Sequence, residues 1–210
     1  MSINREIESL NCLALINENS TLEEINEYIK KALIINPLCL EAYVLKSRVV
    51  ASFIEKGEIL KEAISLINDK HDTKTIALVK EEYGKYLLEN GSYQLAYEQF
   101  KDIITLFPLD NKGFRYLNRA ILIHLEKDLK EVDEDNIDTE LLNLLAAIKN
   151  LDKDIIHKIK TFKIKYPWLT NTYLALEENE DAYYYLSRYA FLLNSTPSFY
   201  QLIQDKEDLL

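Results

Sequence analysis

Residues 90–108 read NGSYQLAYEQFKDIITLFP, and three of them stand at fixed distances: Ala96, Phe100 and Pro108. The same spacing recurs when Pro37 and Pro167 are taken as reference points. Five residues before the three prolines come Ala32, Ile103 and Phe162; eight before come Ile29, Phe100 and Ile159; twelve before come Ile25, Ala96 and Ile155. Offsets that differ by three and four lie on one helix face. The spacing therefore predicts an amphipathic helix that ends just ahead of each proline, which lacks an amide and restricts the residue before it. Six residues after each proline stands an aromatic: Tyr43, Phe114 or Tyr173.

Upstream of Ala96, Gly84 and Leu87 belong to a preceding helix, and ENGSY (89–93) supplies the turn. Gly91 suits the end of that helix, and Ser92 is a candidate cap for the next. The unit is a helical hairpin of about 34 residues. Pro37 and Pro108 lie 71 residues apart, two periods plus three, which predicts an insertion near Lys56–Gly57. Pro108 and Pro167 lie 59 apart, nine short of two periods, so residues 126–136 are expected to hold only a stub of helix near 127–133. The remaining helices are expected near 2–18, 21–35, 38–55, 58–69, 74–89, 92–106, 110–125, 137–149 and 152–165, with Ser20 and Glu23 as a capping box for the second. Beyond Pro167 the expected helices are one starting in WLTNTYLAL, one over 180–193 and a last one capped by Thr196 ahead of Pro197.

The period, with Gly84 and Ala96 at the small positions and Phe100 and Pro108 completing the pattern, resembles the tetratricopeptide repeat. Lys80 departs from it where the pattern favours tryptophan. The resemblance implies an all-α, right-handed α-solenoid of about five repeats near 6–39, 40–73, 77–110, 111–136 (truncated) and 137–169, with capping helices over 170–210. The segments 110–125, 166–174 and 181–203 also resemble the tetratricopeptide region of suppressor-of-tumorigenicity-type proteins and their bacterial relatives, which adds fold support and no mechanism.

Composition agrees with helices. Four Gly and four Pro in 210 residues leave few breakers, and 48% hydrophobic residues supply a core. The net charge of −10 disfavours nucleic acid and anionic membranes as partners. No apolar stretch approaches the roughly 18–20 residues of a membrane span, and the opening residues do not read as a signal peptide. Cys12 and Cys39 sit in apolar surroundings and are expected as buried thiols of a reduced, cytoplasmic protein.

A search for chemistry returns little. His71, His124 and His157 are far apart and none has a second ligand at metal spacing; His71, in the polar turn NDKHDTK, is expected to be solvated. There is no glycine-rich phosphate loop, no Cys-x-x-Cys and no nucleophile elbow. The expectation is a protein with no catalytic residues, metal or cofactor.

In tetratricopeptide arrays the first helix of each repeat lines the concave face. The resemblance places Ala14, Arg48, Lys85, Arg119, Leu144 and Glu178 at one equivalent inner position, with Arg115 one turn from Arg119 and Leu122 beside them. Three successive cations in an acidic chain need carboxylates. Glu81, Glu82 and Glu89 are internal candidates; a peptide C-terminus or acidic segment of a partner is the external one. The carboxylate clamp of chaperone-binding family members is not matched, because Leu10 and Ala14 replace its first-repeat lysine and asparagine, although Arg115 and Asn118 are present. The expected function is a non-enzymatic module that binds a peptide or helix of a partner protein through Arg48, Lys85, Arg115, Arg119 and Leu122. Two alternatives stay open: a dedicated chaperone or toxin-neutralising subunit using an apolar strip of Leu78, Leu88, Leu122, Leu144 and Ile148, and a self-assembling scaffold with Tyr183–Leu193 or the last helix as its contact surface.

Overall fold

In a computed structural model, the structure describes residues 3–170, 180–199 and 201. The described residues are helical, with no strand, and form twelve helices. These are α1 (Ile3–Leu13), α2 (Leu22–Ile35), α3 (Leu40–Val49), α4 (Phe53–Leu66), α5 (Thr73–Glu89), α6 (Tyr93–Leu106), α7 (Phe114–His124), α8 (Ile137–Lys149), α9 (Ile155–Lys165), α10 (Pro167–Thr170), α11 (Glu180–Arg188) and α12 (Ala190–Asn194). They gather into two compact units, Met1–Pro108 and Leu109–Leu210.

The proline rule has a direct structural cause. Asn36, Phe107 and Tyr166, the residues preceding the three prolines, each donate their amide to a carbonyl four residues back, at Ala32, Ile103 and Phe162, at 2.8 Å. These acceptors are the residues at offset five, and all three are buried. Each preceding residue takes φ between −135° and −128° and leaves the helical region, as a following proline requires. Tyr43, six residues after Pro37, donates its hydroxyl to the Pro37 carbonyl at 3.2 Å.

In the first unit, α1 packs on α2, α3 on α4 and α5 on α6, while α2 meets α3, α4 meets α5 and α3 also meets α5. Leu13, Ile29, Ala32, Cys39 and Ala42 form one core layer; Leu40, Tyr43, Val44, Ile59, Ala63 and Val79 form the next. Gly84 of α5 lies beneath Phe100 of α6: a Cβ added there would stand 2.7 Å from the ring. The turn behind this crossing is a Schellman motif. Gly91, at φ 72°, donates to Leu88 at 3.0 Å and Ser92 donates to Leu87 at 2.8 Å. The Ser92 side chain makes no cap bond, contrary to expectation.

Other boundaries are corrected. The capping box of α2 is Thr21 with Glu24, one residue later than Ser20 and Glu23: Thr21 N–H donates to Glu24 at 2.8 Å and Glu24 N–H to the Thr21 hydroxyl at 3.3 Å. The helix expected over 38–55 stops at Val49, because Ser52 caps a new helix by accepting from the Glu55 amide. Lys56 and Gly57, where an insertion is expected, lie inside α4, so no inserted turn falls there.

In the second unit, α7 packs on α8 and α12, α8 on α9, and α9 on α10. Leu141, Leu142, Leu145, Ile159, Tyr189 and Phe199 are among its fully buried side chains. Trp168 packs at the edge of this core, with its ring centroid 6.2 Å from that of Tyr185. The helix expected over 180–193 is interrupted at Tyr189. The stub expected near 127–133 is absent; residues 128–135 run without helix. The helix expected to start in WLTNTYLAL is described only as α10; its continuation over 171–176, the inner position Glu178, the aromatic Tyr173 and most of the last helix lie outside the described residues.

Candidate functional site

The five expected binding residues fall in both units and are taken unit by unit. In the first unit, Arg48 sits in the last turn of α3 and Lys85 on α5. Arg48 Nη2 donates to Glu82 Oε1 at 2.7 Å, and Lys85 Nζ donates to Glu81 Oε1 at 2.8 Å with Glu82 at 3.8 Å. The carboxylate side chains are 11–13% exposed and the cation side chains 48–49%. Sunk carboxylates thus hold the cations by one edge and leave the other open. The hydrogen bond from Arg48 to Glu82 raises the guanidinium's hold on its proton, against the opposing effect of burial. Of the alternatives weighed for compensating these cations, the internal carboxylates are in place. Glu89 instead meets Lys56 at 3.5 Å.

A second pair joins the same two helices. Thr75 Oγ lies 2.7 Å from Glu41 Oε1 and 2.8 Å from Asp72 Oδ2. Glu41–Thr75 and Arg48–Glu82 are each 34 residues apart. His71 is not solvated as expected. Its Nδ1 accepts the Asn68 amide at 3.2 Å and its Nε2 lies 3.1 Å from the Leu38 carbonyl, so the ring pins the 67–72 link to the turn after Pro37. A cavity of about 350 Å3 opens beside it, lined in part by Glu6, Cys39 and Glu41. Cys39 is buried and Cys12 partly buried; both are free thiols, and burial pushes the Cys39 thiol up.

No family model matches the chain, and no curated protein or solved structure matches it.

In the second unit, Arg115, Arg119 and Leu122 share one stripe of α7 with Asn118. Asp110 builds the start of that helix by accepting the amides of Phe114 at 2.8 Å and Arg115 at 2.7 Å. The exposed Arg115 guanidinium donates to the Tyr116 hydroxyl at 2.6 Å and lies over its ring, 4.6 Å from the centroid. Arg119 is committed internally: Nη2 donates to Asn143 Oδ1 at 2.6 Å and to the Lys130 carbonyl at 2.9 Å. Burial pushes Arg119 down, opposed chiefly by Asp128, Glu134 and Glu131.

Asn143 of α8 completes this arrangement. Its Nδ2 donates to the Val132 carbonyl at 2.8 Å and its Oδ1 accepts the Val132 amide at 3.0 Å. The segment 126–136 is thereby strapped onto α7 and α8, where the Lys130 carbonyl and both backbone groups of Val132 take side-chain partners in place of helical ones. Lys158 pairs with Glu131 at 2.8 Å and Lys165 with Asp135 at 2.7 Å, tying the same strap to α9. Repulsion within the acidic run also opposes a helix. Asn143 carries no motif; it stands 24 residues before Pro167, as Gly84 does before Pro108, where a small residue is expected. The apolar strip does not form a free face, since Leu144 and Ile148 are buried in the core of this unit. Among the described residues, no three His, Cys, Asp or Glu side chains are gathered as a metal ion requires, and no helix is long and apolar enough to cross a membrane.

Proposed function

We propose that the helical hairpins are tetratricopeptide-like repeats of a right-handed α-solenoid, and that the protein is a non-enzymatic module binding a peptide or helix of a partner protein. The observation that carries this reading is the repetition of contacts at one period: Glu41 meets Thr75 and Arg48 meets Glu82, each across 34 residues. Two pairs of equal separation, seven residues apart on each helix, mean that α3 and α5 run parallel side by side, as the first helices of successive stacked hairpins do. The close crossing of α5 and α6 at Gly84 supports it as well. Function rests partly on what such folds commonly do.

The ligand-facing groups in the first unit are Arg48 and Lys85, whose exposed edges suit a carboxylate or backbone carbonyl of an acidic segment. In the second unit Arg115 is the accessible member, whereas Arg119 serves the strap. Capture of partners from the native cell tests the reading, with Arg48→Gln/Lys85→Gln as the comparison. One partner lost from the variant and kept by the parent is the expected outcome. Identical capture by both removes these cations from the site.

A further inference from the structure

Between α2 and α3 lies a groove of about 400 Å3 lined by Asn26, Ile29, Lys30, Leu33, Ile34 and Lys46. That volume falls within the range of about 300–1,000 Å3 typical of binding clefts. Its floor is apolar: Ile29 is buried and Leu33 is partly buried. Its rim carries Ile34, a large aliphatic side chain left 71% exposed. On α2 the same stripe runs back through Asn26 to Leu22, 57% exposed, so the apolar surface extends about three helical turns.

The charges flanking this groove are the informative feature. Five of the twelve lysines and arginines of the same unit, Lys31, Arg48, Lys56, Lys80 and Lys85, have a carboxylate partner. Lys30 and Lys46 have none among the described residues. The Asn26 amide donates to the Leu22 carbonyl at 2.9 Å and so turns away from charge pairing. A chain of net charge −10 thus leaves two ammonium groups uncompensated on either side of an apolar trough.

We infer that this groove docks an acidic amphipathic segment of a partner protein, a leucine-sized side chain entering over Ile29 and Leu33 and carboxylates one turn to either side meeting Lys30 and Lys46. Burial of the aliphatic group supplies most of the attraction. The two ammonium groups supply orientation and select against basic segments. The groove shares no residue with the Arg48–Lys85 face, so the two surfaces are separable by mutation.

The test uses the full chain and fluorescein-labelled synthetic peptides in anisotropy titrations: one of Leu-Glu-Glu-Leu repeats, one with lysine for glutamate and one with serine for leucine. The acidic amphipathic peptide is expected to bind, and the other two to bind at least about tenfold more weakly. Lys30→Glu/Lys46→Glu and Ile34→Asp should each weaken binding by about tenfold or more, and Lys61→Gln/Lys101→Gln, at two exposed lysines outside both surfaces, should leave it unchanged. Lys30 and Ile34 are exposed, so an unchanged urea midpoint for the variants accompanies the expected result. The inference is overturned if the acidic peptide does not bind, if the lysine peptide binds equally, or if only Arg48→Gln/Lys85→Gln abolishes binding. A protein mass that rises with concentration in light scattering, and ceases to rise in Ile34→Asp, would assign the groove to a second copy and overturn it too.

Discussion

Arg48 reaches across 34 residues of sequence to place its Nη2 2.7 Å from Glu82 Oε1, and the carboxylate it meets is the more buried of the two. The asymmetry matters. Removing Arg48 leaves Glu82 with Lys85 at 3.8 Å, while removing Glu82 strands Arg48 between helices. Glu82→Gln is therefore expected to cost about 1 kcal/mol in urea unfolding, and Arg48→Gln less. A double-mutant cycle should give a coupling of roughly 0.5–1 kcal/mol, discounted from a buried pair because half of Arg48 faces solvent. A coupling indistinguishable from zero would mean that the pair does not hold α3 to α5.

Gly84 is the contact on which the α5–α6 hairpin closes. Phe100 is fully buried, so its ring cannot swing into solvent to make room. Gly84→Ala should gain up to about 1 kcal/mol in intrinsic helix propensity and lose about 1–3 kcal/mol by overpacking. Net destabilisation is expected, and Phe100→Leu in the same chain should recover part of it. A more stable Gly84→Ala protein would show that the crossing has slack.

How much of this was legible beforehand depended on whether a residue's reason was local. The helix ends at Asn36, Phe107 and Tyr166 were readable because a proline acts on its own neighbour, and Gly84 with Phe100 was readable because close crossings need a small residue. The break at Val49 was missed although Ser52 and Glu55 spell out a cap, since counting from distant prolines favoured an insertion further on. The strap was missed for a deeper reason. An acidic run reads as a solvated turn, and its structure comes from Arg119 and Asn143, whose partners are fixed by tertiary folding. The spacing marks Arg48, Lys85 and Arg119 as cations at one repeat position, and whether each is open or committed depends on geometry alone.

Acid should act on the second unit through His124. Its Nδ1 lies 3.0 Å from Ser195 Oγ, and its ring stands edge-on to Phe191 at 5.6 Å. Burial, and then the Lys149 ammonium, hold the imidazole below its ordinary range. The unfolded chain accordingly binds the proton first as pH falls through about 6.5, and folding loses stability from there downward. His124→Asn removes this contribution. Urea midpoints measured from pH 7.5 to 5 should fall more steeply for the parent than for the variant. Parallel curves would exclude His124 as a source of acid sensitivity.

The strap gives the last prediction, and hydrogen exchange reads it residue by residue. Asn143 satisfies both backbone groups of Val132 and also receives Arg119. Asn143→Leu keeps the side-chain volume but withdraws three hydrogen bonds and leaves the half-buried Arg119 with one fewer acceptor. A loss of about 1–3 kcal/mol is expected. It should be local: the Val132 amide should exchange faster, and protease should cut within 127–136, while amides in the first unit keep their protection. Lys158 and Lys165 still bind the strap from α9, but through exposed ion pairs worth at most about 1 kcal/mol each, too little to replace a backbone clamp. If Val132 stays as protected in Asn143→Leu as in the parent, those lysines hold the strap and Asn143 is a bystander.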